Sequence, residues 1–494
     1  MKEEVKEKTK DTKVVETNVD GKNGQEKCPK CGSTDITLNI NNGKLRCNFC
    51  RHEFDPEKAD GLVDDISSLE GVVVGSGATD IEADSSDMIT LKCTSCGAEV
   101  VVDTQDAPQA RCHWCRNTLS LNEKVSNGAV PDVVLPFKVK KEEAQTEIEK
   151  FVGKRKFFAN PTFKKEFTTN NIMGVYLPYM LIDVNGHAKF AGYGEIETRR
   201  YHETDSQGHD EVYYDADCYE IERDFDILIH GLSVESSADK LDVNSKTKTT
   251  NIINAIMPFD VENCVKFNAN YIKGYTSEKR DVNMDALRGT IDAQSKDIAK
   301  FAANDTAVQY DRGIRWETQE FKAKGEQWKS AYLPVWLYSY QQKKGDSGIL
   351  HYVAVNARTK ETMGSVPIHM PKLIFVSFLV EIIGVLLMLN IDFDYNWLFL
   401  SLGIIFFFIM KGRYRNKSAR HHYENQTGKD VSNLKEKDDF YTSRTHTRDS
   451  SIDGANHTQL EGTTVKNNIG KSLVNSMVNQ SSVASIVKDV TKKR

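Results

Sequence analysis

The sequence predicts a multidomain α+β protein, and three patterns carry this prediction. Eight of the ten cysteines form two sets with identical spacing. A strand–helix–strand order that includes a Tyr-Leu-Pro segment occurs twice between residues 130 and 370. Two apolar runs separated by a short acidic loop follow within residues 372–411. Together the patterns indicate two small β modules, a duplicated α+β domain and a two-helix transmembrane hairpin.

The composition is that of a folded protein and argues against some classes of function. The chain has 494 residues, enough for several domains, with 28% charged residues and a net charge of −6. A mildly acidic chain is not expected to coat nucleic acid non-specifically. Residues 1–26 are rich in Lys, Glu, Asp and Thr and contain no apolar stretch of signal-peptide length. We therefore expect a disordered N-terminus and no export.

The spacing of the cysteines predicts two metal sites. Each set reads C-x2-C-x15-C-x2-C, which is the pattern of a four-thiolate zinc site. Four thiolates complete the tetrahedral coordination of Zn²⁺, so we expect both ions to be structural. Thiolate ligands also fit a reducing compartment, in agreement with the N-terminal sequence. The predicted ligands are Cys28, Cys31, Cys47 and Cys50 for one ion and Cys93, Cys96, Cys112 and Cys115 for the other.

The residues between these cysteines favour two zinc ribbons, at residues 27–58 (ribbon 1) and 91–125 (ribbon 2). In ribbon 1, apolar and polar residues alternate over positions 36–40 and lead into an Asn-Asn-Gly turn, as in a β-hairpin. In ribbon 2, Val100–Val102 is the corresponding strand. Modules of this size bury little apolar surface, so we expect their folding to depend on the metal.

The charge of the ribbons makes them weak candidates for binding phosphate. Ribbon 1 contains six Lys or Arg residues and four acids, and residues 59–90 contain eight acids and neither Lys nor Arg. Nucleic-acid binding needs a concentrated positive face, so a protein partner is the favoured expectation and nucleic acid is the alternative. We expect residues 59–90 to form a linker, in which Gly75-Ser76-Gly77 is a bent connector or an anion-binding nest.

Two α+β repeats are predicted at residues 130–255 and 256–370. A Leu-Pro-Phe segment opens the first repeat and a Met-Pro-Phe segment opens the second, and each later contains a Tyr-Leu-Pro strand. Because proline lacks an N–H group, we expect those strands at an edge or a bulge of the sheet. The second repeat is longer, and its apolar spacing predicts that a helix at residues 281–303 holds the insertion.

The apolar runs within residues 372–411 predict a membrane hairpin. The first run, Leu373–Leu389, spans about 26 Å as a helix, close to the roughly 30 Å of a hydrocarbon core. The second, Trp397–Met410, is shorter. Lys and Arg residues flank both outer ends, while the loop between the runs has neither. The positive-inside rule therefore predicts a cell-membrane protein with two spans and both termini in the cytoplasm.

Glu381 lies in the middle of the first apolar run. An ionised carboxylate is costly there, so we expect it to hydrogen-bond either the other helix or a second copy in a homo-oligomer. Residues 412–494 are predicted to be a basic flank followed by a mostly disordered tail. Within the tail, apolar residues at helical intervals over 465–490 indicate either an amphipathic helix or a solvated segment.

In these motifs the chain resembles bacterial membrane-anchored proteins with transcription-factor-IIB-type zinc ribbons. The resemblance covers about residues 27–415 and implies zinc at all eight cysteines. It does not imply transcription initiation, because no cyclin-like repeats follow the ribbons, nor helicase activity, because the chain has no phosphate-binding lysine loop. It rests on both cysteine sets, Gly75–Ile81, Cys112-His113-Trp114-Cys115, Asn127–Pro131, Leu135-Pro136-Phe137 and both Tyr-Leu-Pro segments.

The function expected from the sequence is that of a membrane-anchored adaptor or scaffold facing the cytosol. The ribbons bind a protein partner in this interpretation, and the hairpin holds them at the lipid bilayer. The alternative is a membrane-tethered factor that binds nucleic acid or RNA polymerase. The sequence contains no HExxH, GxSxG or phosphate-loop motif, so we do not expect an enzyme.

Overall fold

The structure of the protein is a computed structural model. Its described residues form a mixed α+β, sheet-rich fold of more than one compact unit, which confirms the predicted fold class at this level. The described residues are 12–15, 17, 28–33, 36–59, 61–63, 65–79, 88–92, 99–103, 124–125, 131–204, 210–237, 254–267, 269–272, 275–278, 280, 282–344, 347–390, 396–415 and 422–448.

Six α-helices and seventeen strands are present in the described part of the chain. The helices are α1 (Lys141–Gly153), α2 (Pro161–Glu166), α3 (Met284–Asp305), α4 (Met370–Asn390), α5 (Leu402–Arg415) and α6 (Tyr423–Gln426). The strands are β1 (Thr12–Val15), β2 (Ile36–Asn39), β3 (Lys44–Cys47), β4 (Glu53–Phe54), β5 (Gly71–Gly75), β6 (Met88–Lys92), β7 (Glu99–Asp103), β8 (Lys124–Val125), β9 (Val133–Val134), β10 (Met173–Thr204), β11 (Asp210–Glu235), β12 (Val265–Lys266), β13 (Thr276–Glu278), β14 (Ile314–Lys344), β15 (Ser347–Asn356), β16 (Thr362–Gly364) and β17 (Gly428–Arg448).

The chain divides into two compact units. The main sheet has the order β1-β5-β14-β10-β13-β7-β6-β8, and β9, β12, β15 and β16 pair alongside it. Ribbon 1 forms a separate sheet, β2-β3-β4, in the first unit. The first unit contains residues up to Asn185, Leu228–Ser295 and Ala323–Asp430, and the second contains Gly186–Ile227, Lys296–Lys322 and, of the described C-terminal residues, 431–448.

Both Tyr-Leu-Pro segments lie inside interior strands, so the expected position at an edge of the sheet is wrong. They belong to β10 and β14, which pair on both sides. The carbonyls of both prolines accept hydrogen bonds: the N–H of Ser236 donates to Pro178 and that of Ala357 to Pro334. Along β14, pairing with β9 ends at Tyr332 and pairing with β15 begins at Val335, so the missing N–H of Pro334 interrupts neither ladder.

Part of the N-terminus and part of the expected linker are strands of the main sheet. Strand β1 pairs in parallel with β5, and β5 pairs in turn with β14. The disorder expected for residues 1–26 is therefore wrong for Thr12–Val15, and the linker at 59–90 is wrong where it contains β5. The physical reason is that Val72–Val74 favour an extended backbone and become half-buried or buried between two strands.

Asp132 fixes the turn that follows β5. Its carboxylate accepts hydrogen bonds from the Gly77 N–H (2.8 Å), the Ser330 N–H (2.7 Å) and the Thr17 hydroxyl. The side chain is almost fully buried, and this burial raises its pKa although the hydrogen bonds oppose the shift. A Cβ atom at Gly75 would clash with the carboxylate, which explains the glycine. The segment is thus held by a buried carboxylate and is not a bare connector.

Part of the tail is also ordered. Strand β17 pairs with β11, so the disorder expected after residue 412 is wrong for this stretch. Within the second unit, the fully buried Arg223 donates to both carboxylate oxygens of Asp438, at 2.5 and 3.1 Å. A buried guanidinium needs such a partner, but the two residues are 215 positions apart and no local pattern joins them. The amphipathic helix predicted at 465–490 lies outside the described residues.

Replacing Asp132 by alanine is expected to loosen β1 and the turn after β5. The N–H groups of Gly77 and Ser330 lose a buried acceptor, at a cost of about 1–3 kcal/mol. Hydrogen exchange at the amides of Thr12–Val15 should therefore accelerate by on the order of tenfold. The control is Asp55→Ala, because the Asp55 side chain is 78% exposed and its loss should leave exchange in β1 unchanged. Equal exchange in both variants would show that Asp132 does not hold this region.

Candidate metal centre and apolar helices

The four cysteines of ribbon 1 converge on one point. Their Sγ atoms all lie within 4.8 Å of one another, and Cys28–Cys50 and Cys31–Cys47 are each separated by 3.6 Å. Sulfurs about 3.8 Å apart are expected around a tetrahedral zinc ion with Zn–S bonds of about 2.3 Å. A disulfide would require about 2.05 Å instead. The donor set and its spacing therefore fit one zinc ion.

Two similar turns bring the sulfurs together. The carbonyl of Cys28 accepts from the Gly32 N–H at 2.8 Å, and that of Cys47 accepts from the Arg51 N–H at 3.0 Å. Gly32 and Arg51 both have positive φ angles, 73° and 62°. The Cys50 N–H also points at the Cys47 sulfur, at 3.5 Å. The glycine at position 32 indicates the first turn in the sequence, because glycine readily adopts a positive φ angle. Arg51 gives no such indication of the second turn.

The backbone polarises the sulfurs unequally. The backbone N–H of Cys50, followed by that of Phe49, lowers the pKa of the Cys47 thiol to about 6. At Cys31, the backbone N–H of Ser33 acts in the same direction, but burial and the other three sulfurs outweigh it and raise the pKa to about 12. Four neighbouring thiols do not all ionise without a compensating cation. A divalent metal supplies that charge and stabilises all four thiolates.

Ribbon 1 is fixed to the α+β body of the first unit. Ile36 and Leu45 are fully buried and belong to the same hydrophobic cluster as Tyr271. After the last cysteine, Lys58 forms an antiparallel bridge with Val265. The metal centre therefore has a defined position on the body, which the cysteine spacing alone could not reveal.

The second cysteine set, Cys93, Cys96, Cys112 and Cys115, lies outside the described residues. The strands near it are described: β6 pairs with β7, and β7 pairs with β13 of the main sheet. Unlike ribbon 1, ribbon 2 thus shares strands with the main sheet. One four-cysteine site is present among the described residues, where the sequence predicts two.

Of the two membrane-spanning helices expected at residues 372–411, one meets the requirement in length and composition. Among the described residues, α4 is the one helix long and apolar enough to cross a membrane. Only 17% of its most apolar 18-residue window is buried, unlike the core helix of a soluble protein. Helix α5 has 14 residues and follows a 3-10 segment, Asn396–Ser401. The second apolar run is thus divided between two helical forms, and α5 alone is too short to span a bilayer.

Small residues allow α4 and α5, the helix pair, to pack closely. A Cβ atom at Gly384 would clash with the carbonyl oxygen of Phe399, and one at Gly403 with that of Ser377. Glu381 Oε2 accepts the Gly403 N–H at 2.7 Å. That N–H lies in the first turn of α5, where backbone donors lack an intrahelical acceptor. We expected Glu381 to hydrogen-bond either the other helix or a second copy of the chain. The structure shows the first of these contacts: the Glu381 carboxylate caps the start of α5.

The base of the helix pair is attached to the turn after α1. The hydroxyl of Tyr414 accepts from the Phe158 N–H at 2.8 Å, and the Phe158 carbonyl accepts from the His369 N–H at 2.7 Å. The side chain of Arg155 donates to the Arg413 carbonyl at 2.9 Å. Sequence reasoning missed this attachment, because hydrogen bonds to distant backbone groups leave no local pattern.

A mainly apolar cavity of about 390 Å³ also opens in the first unit, and its polar lining residues include Asp183, His230 and Lys329. The Asp183 carboxylate accepts from the Gly231 N–H at 2.6 Å and the Gln327 side chain at 2.5 Å, with Lys329 at 3.7 Å. Protein groups already satisfy this carboxylate. We therefore assign these contacts to the packing of the unit.

Comparisons with known proteins identify one distant relative among the curated proteins. The chain is 23% identical over 342 residues to the "Uncharacterized protein YdjG" of Bacillus subtilis (strain 168). The match covers 69% of this chain and 89% of that protein. No family model and no solved structure matches the chain. The similarity assigns no activity, ligand or partner to the chain.

Replacing Cys47 by serine is expected to remove about one zinc equivalent from the purified protein, because three thiolates bind zinc less tightly than four. Metal content by mass spectrometry measures the loss, and hydrogen exchange in β2 and β3 should rise with it. Cys218→Ser is the control, since Cys218 is a buried free thiol outside both cysteine sets. Unchanged zinc content in Cys47→Ser would contradict the metal centre.

Replacing Glu381 by leucine should leave the Gly403 N–H without an acceptor and destabilise the helix pair by about 1–3 kcal/mol. Glu381→Gln keeps an acceptor oxygen and should retain most of the stability. Thermal unfolding in detergent compares the two variants. If the Glu381→Leu variant is as stable as the original protein, Glu381 does not cap α5. If the variant instead changes the crosslinking between copies of the chain, Glu381 contacts a second copy.

Proposed function

We propose that the protein is a membrane-anchored zinc adaptor or scaffold that faces the cytosol and binds a protein partner through ribbon 1. The observation that carries this proposal is one hydrophobic core cluster. It contains Cys28 and Leu45 of ribbon 1 together with Leu373 of α4 and the buried Tyr414 of α5. A partner bound at the ribbon is then held at a fixed place relative to the helix pair.

The dimensions of the helix pair support two membrane spans. Helix α4 has 21 residues and extends about 32 Å at 1.5 Å per residue. The 3-10 segment before α5 rises about 2 Å per residue, so this segment and α5 up to Met410, before the basic residues that begin at Lys411, together extend about 26 Å. Both lengths are close to the roughly 30 Å of a hydrocarbon core. Phe375, Phe378 and Leu389 on α4 are more than half exposed, which is expected of a surface that contacts lipid.

The surface of ribbon 1 supports a protein partner over nucleic acid. Phe49, in the second cysteine turn, is 80% exposed, and exposed aromatic side chains are frequent anchors of protein interfaces. Lys44 pairs with Asp55 at 3.3 Å, and Arg46 lies 4.0 Å from Glu53. These acids reduce the positive potential that phosphate binding needs.

The proposed protein also has a second zinc ion, cytoplasmic termini and no enzymatic activity. Ribbon 2 binds a second structural zinc ion through its four cysteines, whose spacing equals that of ribbon 1. Both termini are cytoplasmic, in keeping with Lys372 before the first span and Lys411, Arg413 and Arg415 at the end of the second. The chain is non-enzymatic and is grouped with the bacterial membrane-anchored proteins that carry transcription-factor-IIB-type zinc ribbons.

Replacing Phe49 by serine should remove the partner without removing zinc, because Phe49 is exposed and is not a metal ligand. Proximity labelling in native membranes should show the loss of at least one neighbouring protein, by about tenfold or more in labelling yield. The control is Val308→Ser, since Val308 is exposed by 58% on the second unit.

Identical neighbours for the Phe49→Ser variant and the original would contradict partner binding at this surface. If the lost neighbour is a nucleic acid, and its binding weakens steeply as salt is raised, the alternative function of a nucleic-acid factor replaces the adaptor.

A further inference from the structure

An exposed aromatic residue surrounded by lysines lies at the base of the helix pair. The Phe157 side chain is 60% exposed. The ammonium group of Lys372 lies 3.7 Å from the centre of its ring and donates to the Phe157 carbonyl at 3.0 Å. The ammonium group of Lys164 reaches the same carbonyl at 3.5 Å. Together with Lys156, these residues form what we call the basic collar.

The lysines of the collar repel one another. Partial burial, followed by the charges of Lys372 and Lys156, lowers the pKa of Lys164. Within the described residues, no ion pair joins Lys156, Lys164 or Lys372 to a carboxylate. Some surface lysines of the first unit do have such partners, for example Lys360 with Glu143 at 2.8 Å. Three neighbouring cations without an acid favour an external anion.

The position of the collar indicates the source of that anion. Lys372 is in the first turn of α4 and directly precedes the apolar run that begins at Leu373. On the body side, the Phe158 ring contacts the Phe406 ring of α5 at 6.2 Å between centroids. The collar therefore lies where the apolar surface of the helix pair ends. In a membrane this is the depth of the lipid headgroups, where aromatic rings and lysines are both favoured.

We propose that the basic collar binds the phosphate groups of anionic phospholipids, with the Phe157 ring inserted at the membrane interface. This proposal rests on the membrane anchoring proposed above. Binding neutralises the three lysines and holds the α+β body against the membrane surface. The attachment of the helix base through Tyr414 and Phe158 then transmits that position to the rest of the first unit.

The test uses the full chain in detergent micelles, titrated with phosphatidylglycerol or phosphatidylcholine and followed by native mass spectrometry. The original protein should retain phosphatidylglycerol preferentially. Lys156→Gln, Lys164→Gln and Lys372→Gln should each weaken its binding about fivefold, and the triple variant on the order of a hundredfold. Phe157→Ser should weaken the binding of both lipids, because it removes apolar contact and no charge.

The matched control removes three other lysines, as Lys138→Gln, Lys141→Gln and Lys360→Gln together, and should keep the original preference. Three results would each overturn the proposal. The original protein could bind the two lipids equally, both triple variants could lose phosphatidylglycerol binding to the same extent, or inorganic phosphate could bind as tightly as phosphatidylglycerol.

Alkaline carbonate extraction of native membranes separates failure of the collar from failure of the anchor. If the chain leaves the membrane fraction, the proposed anchoring fails and the collar proposal falls with it. If the chain stays in the membrane while lipid selectivity is absent, only the collar proposal fails.

Discussion

The arrangement of this protein depends on one hydrophobic core that extends from the four-cysteine centre to the base of the helix pair. Buried residues of ribbon 1 and of α4 belong to the same cluster as the aromatic residues of the α+β body. Zinc ribbons are small enough to fold around their metal as independent modules. Here the ribbon is instead packed against the body through Ile36 and Leu45, and the metal centre takes its position from that contact.

Buried or half-buried polar groups hold the segments that the core does not secure. Asp132 binds the turn after β5, Glu381 caps the start of α5, and Arg223 pairs with Asp438 on the C-terminal strand β17. Each group would be costly in an apolar surrounding without its partner, so each pairing specifies one position for its segment. The lysines of the basic collar differ from these groups, because no carboxylate in the described part of the chain pairs with them, and we propose an anion outside the chain as their partner.

Local patterns in the sequence predicted those features that depend on neighbouring residues. The cysteine spacing identified the ligands Cys28, Cys31, Cys47 and Cys50, which the structure brings together. Apolar periodicity placed a helix at 281–303, where α3 extends over Met284–Asp305.

The features that were missed depend on distant partners. Strand β1 exists because β5 pairs with it, and β17 because β11 does. Pro334 fits inside β14 because pairing passes from β9 to β15 at that residue. The division of the second apolar run was missed although Ser401 and Gly403 lie where the 3-10 segment meets α5, because a single serine or glycine is tolerated within a helix and does not by itself predict a 3-10 segment.

The distance between ribbon 1 and the base of the helix pair, measured in a lipid bilayer, tests this account most directly. Genetically encoded spin labels at the exposed positions Asn42 and Lys154 report that distance by pulsed electron resonance in nanodiscs. A rigid core predicts one narrow distance distribution in the zinc-loaded protein, which broadens when a chelator removes the metal. A broad distribution with zinc present would contradict the account, because the ribbon would then move independently of the helices.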